Sequence, residues 1–194
     1  EGVLLAGPER WIPRAAAVRL RRYAEGGGRV ASFGADTLRR GVTLARGRLL
    51  RPTQPVGTDP FGTRLRPLRR LKRPAGLVPL KDDPKLGLLE GVGDVVGGFE
   101  VLEESVPGES SKLAFAAGIG QDLGEDAPLD PETGAPRAPL PALAGSRLGK
   151  GVVIRVGLPG WAARLPRDPA VQQITRNVAD ILRRVRPRPR SPLR

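Results

Sequence analysis

Residues 1–34 read EGVLLAGPERWIPRAAAVRLRRYAEGGGRVASFG, and the fold class is inferred outward from them. Val3 to Ala6 is a short apolar run closed by Gly7-Pro8, the signature of a buried parallel strand. Pro13 stands where a first helical turn tolerates it, since that turn has N–H groups without intrahelical acceptors anyway. Ala17, Leu20 and Ala24 follow at helical spacing, while Arg19, Arg21 and Arg22 fall on the outer face. Gly26-Gly27-Gly28 ends the helix, because glycine enters the left-handed conformation that follows a C-terminus without steric cost. Arg29 to Phe33 then reads as the next strand, closed by Gly34. Strand, helix and strand in about thirty residues make a βαβ crossover, with parallel pairing and right-handed connection. The expected fold is therefore α/β, a doubly wound, mainly parallel sheet.

Near the C-terminus the same grammar returns. Val152 to Val156 (VVIRV) reads as a buried strand, followed by the loop Gly157-Leu158-Pro159-Gly160-Trp161. Asp168 is positioned to cap a helix that has Pro169 in its first turn. Val171, Ile174, Val178 and Ile181 share one face of that helix. The middle is less regular. Val42-Leu44 and Arg48-Leu50 suggest short strands, and Leu65 to Leu71, interrupted by Pro67, reads as a surface excursion. Phe99 to Glu104 and Lys112 to Ala117 are expected to form an inserted β-hairpin. Residues 121–145, rich in Asp, Glu, Pro and Gly, read as an acidic loop without EF-hand ligand spacing. Residues 1–185 thus form one α/β domain, and 186–194, alternating Arg with Pro and Ser, read as a disordered tail. The start inside a strand, without Met, suggests a piece of a longer protein, lacking the first strand and helix of its sheet.

Composition excludes several chemistries. The 194 residues contain no His and no Cys, which removes thiolate and imidazole nucleophiles, disulfides and Cys- or His-ligated metals. The net charge is +13. It is uneven: residues 1–80 carry 17 Lys and Arg against 5 Asp and Glu, residues 81–150 carry 6 against 13, and residues 151–194 carry 10 against 2. Only 5 of the 33 basic residues are Lys, which with 26 Gly and 21 Pro matches the codon bias of a GC-rich bacterial genome. The charge is accordingly read as drift on a solvated surface in preference to a nucleic-acid patch. No apolar run is long enough to span a membrane.

In an open α/β sheet, ligands bind beyond the C-terminal ends of the strands. Three loops qualify: Gly7 to Trp11, Gly34 to Arg40, and Gly157 to Trp161. They supply the candidate cleft residues Glu9, Arg10, Trp11, Asp36, Thr37, Arg39, Arg40 and Trp161. No catalytic, metal-ligating or cofactor-binding residue is assigned among them. The carboxylates are expected to pair with neighbouring arginines or to cap helices, and arginine stays protonated and cannot serve as a base.

The run GPERWIPRAAAVRLRRYAEGGGRVASFGADTLRRGV resembles the C-terminal domain of the N,N-dimethylformamidase large (beta) subunit-like family, as does GKGVVIRVGLPGWAARL with the Asn177 helix. Residues 1–60 and 149–185 carry the likeness. It implies a class I glutamine amidotransferase-like fold and the precedent of an amide hydrolase holding one iron through tyrosines and a carboxylate. The family pattern looks like Gly-His-x-Glu-Tyr-Trp, a helix, Tyr-x-x-x-Gly-Gly, a strand, then Gly-x-Asn-x-x-Tyr-Trp-x-Val. Glu9 and Trp11 match, whereas Pro8 stands for the His, Arg10 for the Tyr, Asp36 for the Asn, and Arg39-Arg40 for Tyr-Trp. Guanidiniums offer only donors and cannot replace phenolate ligands. The expectation is a catalytically silent amidotransferase-like domain of a larger bacterial protein, without cofactor. It would partner other domains or subunits of that protein and accept a small anion in its cleft. Two alternatives stay open: a divergent amidohydrolase using Glu9 and Asp36, and polyanion or nucleic-acid binding through the Arg-rich surface.

Overall fold

The computed structural model describes residues 2–107, 112–124 and 127–184. The tail expected at 186–194 and part of the turn expected between the hairpin strands lie outside them. The N-terminal unit comprises β1 (Val3–Leu5), β2 (Trp11–Pro13), α1 (Arg14–Glu25) and β3 (Arg29–Phe33). It continues through β4 (Arg40–Ala45), β5 (Arg48–Leu50) and β6 (Arg64–Leu65) to the 13-residue β7 (Arg69–Lys81). Then follow β8 (Val96–Leu102), β9 (Ser105–Val106), β10 (Leu113–Gln121), β11 (Pro141–Leu148), β12 (Gly151–Val156), the short α2 (Trp161–Arg164) and α3 (Pro169–Arg183).

The doubly wound, mainly parallel α/β sheet expected from the sequence does not form. Strand outweighs helix, and the main sheet is a curled, mixed half-barrel of seven strands ordered β1-β3-β12-β11-β10-β7-β8. Only β1, β3 and β12 run parallel, with Val3 opposite Val30 and Val30 opposite Val153. The remaining neighbours pair antiparallel. The reason lies in the connections. A parallel pair needs a crossover, commonly a helix, and α1 supplies one between β1 and β3. Between Phe33 and Gly151 no α-helix forms among the described residues, so those strands return by loops and pair antiparallel. The α/β, Rossmann-like architecture is therefore overturned; β1, α1 and β3 form a local parallel unit inside a mainly β chain.

Three further expectations are corrected. The stretch taken as a surface excursion ends in the longest strand, β7, whose Pro74 falls in the register shift between Arg70 and Ala75. A bulge is where a strand accommodates a residue with no N–H to donate. The expected hairpin of Phe99–Glu104 with Lys112–Ala117 is absent because β7 lies between β8 and β10. The irregular acidic stretch stops at Leu140, after which β11 begins, buried along nearly its whole length.

Two cores form on opposite faces of the parallel strands, as period-two alternation requires. Ala31, Val152 and Ile154 face α3 with its Val171, Ile174, Val178 and Ile181. Val30 and Val153 face Ala24 of α1, together with Leu38 and Phe61. Asp168 caps α3 as its sequence position suggested, accepting from the N–H groups of Ala170 and Val171 at 2.9 and 3.1 Å. The curl of the sheet has one consequence for the site. It returns the end of β8, at the far edge, to the loop after β12, where the Glu103 N–H donates to the Gly157 carbonyl at 2.7 Å.

Candidate functional site

Parallel alignment of β1, β3 and β12 puts the loops after them on one edge of the sheet, as the sequence predicted. The Gly34 N–H donates to the Val156 carbonyl at 2.9 Å, and the Leu38 N–H to the Glu9 carbonyl at 2.7 Å, tying the three loops together. Asp36 and Leu38 both sit at positive φ, 58° and 59°. Aspartate tolerates this conformation, whereas leucine does so only when its surroundings hold it. Leu38 is held by burial in the second core.

Below the loop lies a buried charge cluster. Glu103 takes the Asp36 N–H at 3.1 Å on each carboxylate oxygen, Arg39 Nη1 at 3.0 Å and Arg155 Nη2 at 2.7 Å. Arg155 also reaches Asp59 at 3.4 Å and the Thr37 carbonyl at 3.5 Å. Asp59 accepts the Phe61 and Thr63 N–H groups at 3.0 and 2.9 Å. Burial raises the Asp59 pKa above its usual value, against the opposing pull of Arg155 and those N–H groups. Above this cluster Asp36 accepts from Arg40 Nε and Nη2 at 3.0 and 2.8 Å and meets Arg10 Nε at 3.8 Å.

The upper part of this assembly borders an open cavity of about 780 Å³, while Arg155 and Asp59 lie beneath it. Arg10, Asp36, Arg39 and Arg40 of the predicted residues border it, joined by Glu103 and Arg70, which sequence reasoning missed. The other four do not line it. Glu9 serves through its backbone. Trp11 is 46% exposed on β2. Thr37 is fully buried, its hydroxyl donating to the Gly34 carbonyl at 2.9 Å. Trp161 is a core residue, stacked on Phe99 with centroids 5.9 Å apart and donating its indole N–H to Thr175 Oγ1 at 3.0 Å. The missed partners left one local trace: Arg155 is a lone charge inside VVIRV, and a charge on a buried strand must find partners. Among the described residues no three Asp or Glu side chains gather as a metal-ligand set. No helix there is long and apolar enough to cross a membrane.

No family model matches the chain, and no curated protein matches it. Among solved structures it is similar to the β-galactosidase from Bacillus circulans sp. alkalophilus, at 14% identity and a TM-score of 0.54, over 92% of this chain and 22% of that one. It is similar also to the β-galactosidase from Rahnella sp. R3, at 13% identity and a TM-score of 0.52, over 91% of this chain and 22% of that one. Such identities speak for shared fold alone, and the chain spans about a fifth of either enzyme's length.

Proposed function

We propose that this chain is a catalytically silent domain of a larger protein, serving binding, scaffolding or assembly, with a cationic cleft that accepts a small anion. One observation carries the reading: both carboxylates bordering the cleft are already engaged by guanidiniums, Asp36 by Arg40 and Glu103 by Arg39 and Arg155. A general acid or base needs a proton or lone pair free to meet the substrate; both Glu103 oxygens are engaged, and Asp36 is held through Oδ2 by the Arg40 fork. Arginine supplies charge and donors but no base. The amidohydrolase alternative asks Glu9 and Asp36 to act together, yet Glu9 does not line the cavity. Similarity to about a fifth of much longer chains supports an accessory part of a larger assembly. The likeness to the dimethylformamidase-like C-terminal domain belongs to this proposal through its departures, Pro8, Arg10, Arg39 and Arg40.

The test is turnover by the purified chain of two substrates, N,N-dimethylformamide and an aryl β-galactoside, with metal analysis of the same sample. The expected result is no turnover above buffer. Hydrolysis that disappears in Glu9→Gln or Asp36→Asn, or stoichiometric bound iron, overturns the silent-domain reading.

A further inference from the structure

We infer that the cleft takes a specific class of anion: an organic carboxylate with an apolar, preferably flat, body. This rests on the proposed anion-accepting cleft and goes further by naming what fills it. The cavity wall has two kinds of surface. Four arginines border it, Arg10, Arg39, Arg40 and Arg70, against two acids, Asp36 and Glu103. Arg39 and Arg40 are committed to those acids. The Arg70 side chain makes no ion pair or hydrogen bond among the described residues, and Arg10 approaches Asp36 only at 3.8 Å with half its side chain exposed. Two guanidinium forks are therefore available, and a planar fork matches a carboxylate through two parallel N–H···O bonds.

Besides Gly34 and Ala35, the rest of the wall is apolar side chain: Pro8, Pro55, Pro67, Leu68, Val101 and Pro159. Arg70 and Val101 are cross-strand partners in β7 and β8, so charge and apolar wall share one face of the sheet. Four prolines have no side-chain rotamer entropy to lose when a ligand orders them, and a pre-formed wall lowers the cost of binding. Among the described residues no Ser, Thr, Asn, Gln, His, Tyr or Trp side chain lines the cavity. A neutral sugar could engage the arginines with some hydroxyls, but those turned to the proline, leucine and valine side would be buried without partners, which is costly. A bare inorganic anion would use the arginines and leave the apolar wall idle. A cavity of about 780 Å³ has room for a ring with substituents.

Calorimetric titration of the full chain with benzoate, benzamide and inorganic sulfate at constant ionic strength tests the assignment. Benzoate should bind saturably. Benzamide, its neutral isostere, should bind at least about tenfold more weakly, the loss of a charge-assisted pair. Sulfate should bind more weakly than benzoate. Arg70→Gln and, separately, Arg10→Gln should each weaken benzoate by about tenfold with thermal unfolding unchanged. Benzamide binding as tightly as benzoate overturns carboxylate recognition. Sulfate matching benzoate overturns the apolar body and leaves the anion cleft standing. No binding of either anion at millimolar concentration overturns both readings, and benzoate binding indifferent to both variants removes it from this cavity.

Discussion

Arg155 and Glu103, 52 positions apart in the chain, meet through a 2.7 Å hydrogen bond with their side chains only 3% and 1% exposed. The pair joins the interior strand β12 to the residue that follows the edge strand β8, and Glu103 passes the constraint upward through Arg39 and the Asp36 N–H. Removing one partner from such a pair leaves a buried charge uncompensated, at a cost of about 3–5 kcal/mol. Glu103→Gln should therefore lower the unfolding free energy by about 3 kcal/mol. Arg155→Met should cost at least as much: Glu103 keeps Arg39, but the fully buried Asp59 loses the guanidinium that faces it. Urea denaturation at unchanged slope reads both, and a wild-type midpoint for Glu103→Gln would show the cluster to be energetically idle.

The same junction depends on backbone proximity. A Cβ at position 157 would run into the carbonyl oxygen of Glu103 and sit 3.1 Å from that of Ala142. The approach is fixed by two backbone hydrogen bonds, Glu103 N–H to Gly157 O at 2.7 Å and Gly157 N–H to Ala142 O at 2.8 Å. Gly157→Ala must push β8 away from β12, an overpacking that costs about 1–3 kcal/mol. Gly93→Ala is the matched control: it has no heavy atom within 4 Å and no positive φ, and should stay within about 0.5 kcal/mol of wild type. Equal midpoints for the two variants would mean that the sheet yields at Gly157 without cost.

What was legible in the sequence was what is local. The patterns of β1, α1, β3, β12 and α3 are written in runs of three to fifteen residues, and so is the Asp168 cap. Pairing order is not. Nothing within β10 says that β7, some thirty residues earlier, will lie between it and β8, and Pro74 with Pro79 masks the alternation by which β7 would be recognised. The site divides the same way. Arg10, Asp36, Arg39 and Arg40 follow strand ends and were found; Glu103 and Arg70 reach the cavity only because the sheet curls, which a flat parallel sheet does not anticipate. Trp161 was misplaced for a related reason. Its neighbours Gly157, Pro159 and Gly160 read as a loop edge, while α2 turns the indole inward onto Phe99.

Asp59 makes the cluster sensitive to pH. Arg155 stands nearer to Glu103, at 2.7 Å, than to Asp59, at 3.4 Å, so Asp59 is the less compensated of the two carboxylates. Burial is the leading influence on it and raises its pKa above 3.8. A group whose pKa is raised on folding favours the folded state in its protonated form. Its contribution is complete below the unfolded value and is lost as pH climbs through the folded one. Asp59→Asn keeps an oxygen for the Phe61 and Thr63 N–H groups and abolishes the titration. Stability measured for both proteins by urea denaturation from about pH 4 to pH 8 should show wild type losing ground to Asp59→Asn as pH rises. A difference that stays constant would mean that Asp59 titrates alike in both states, and wild type gaining ground with pH would mean that the attraction of Arg155 outweighs burial.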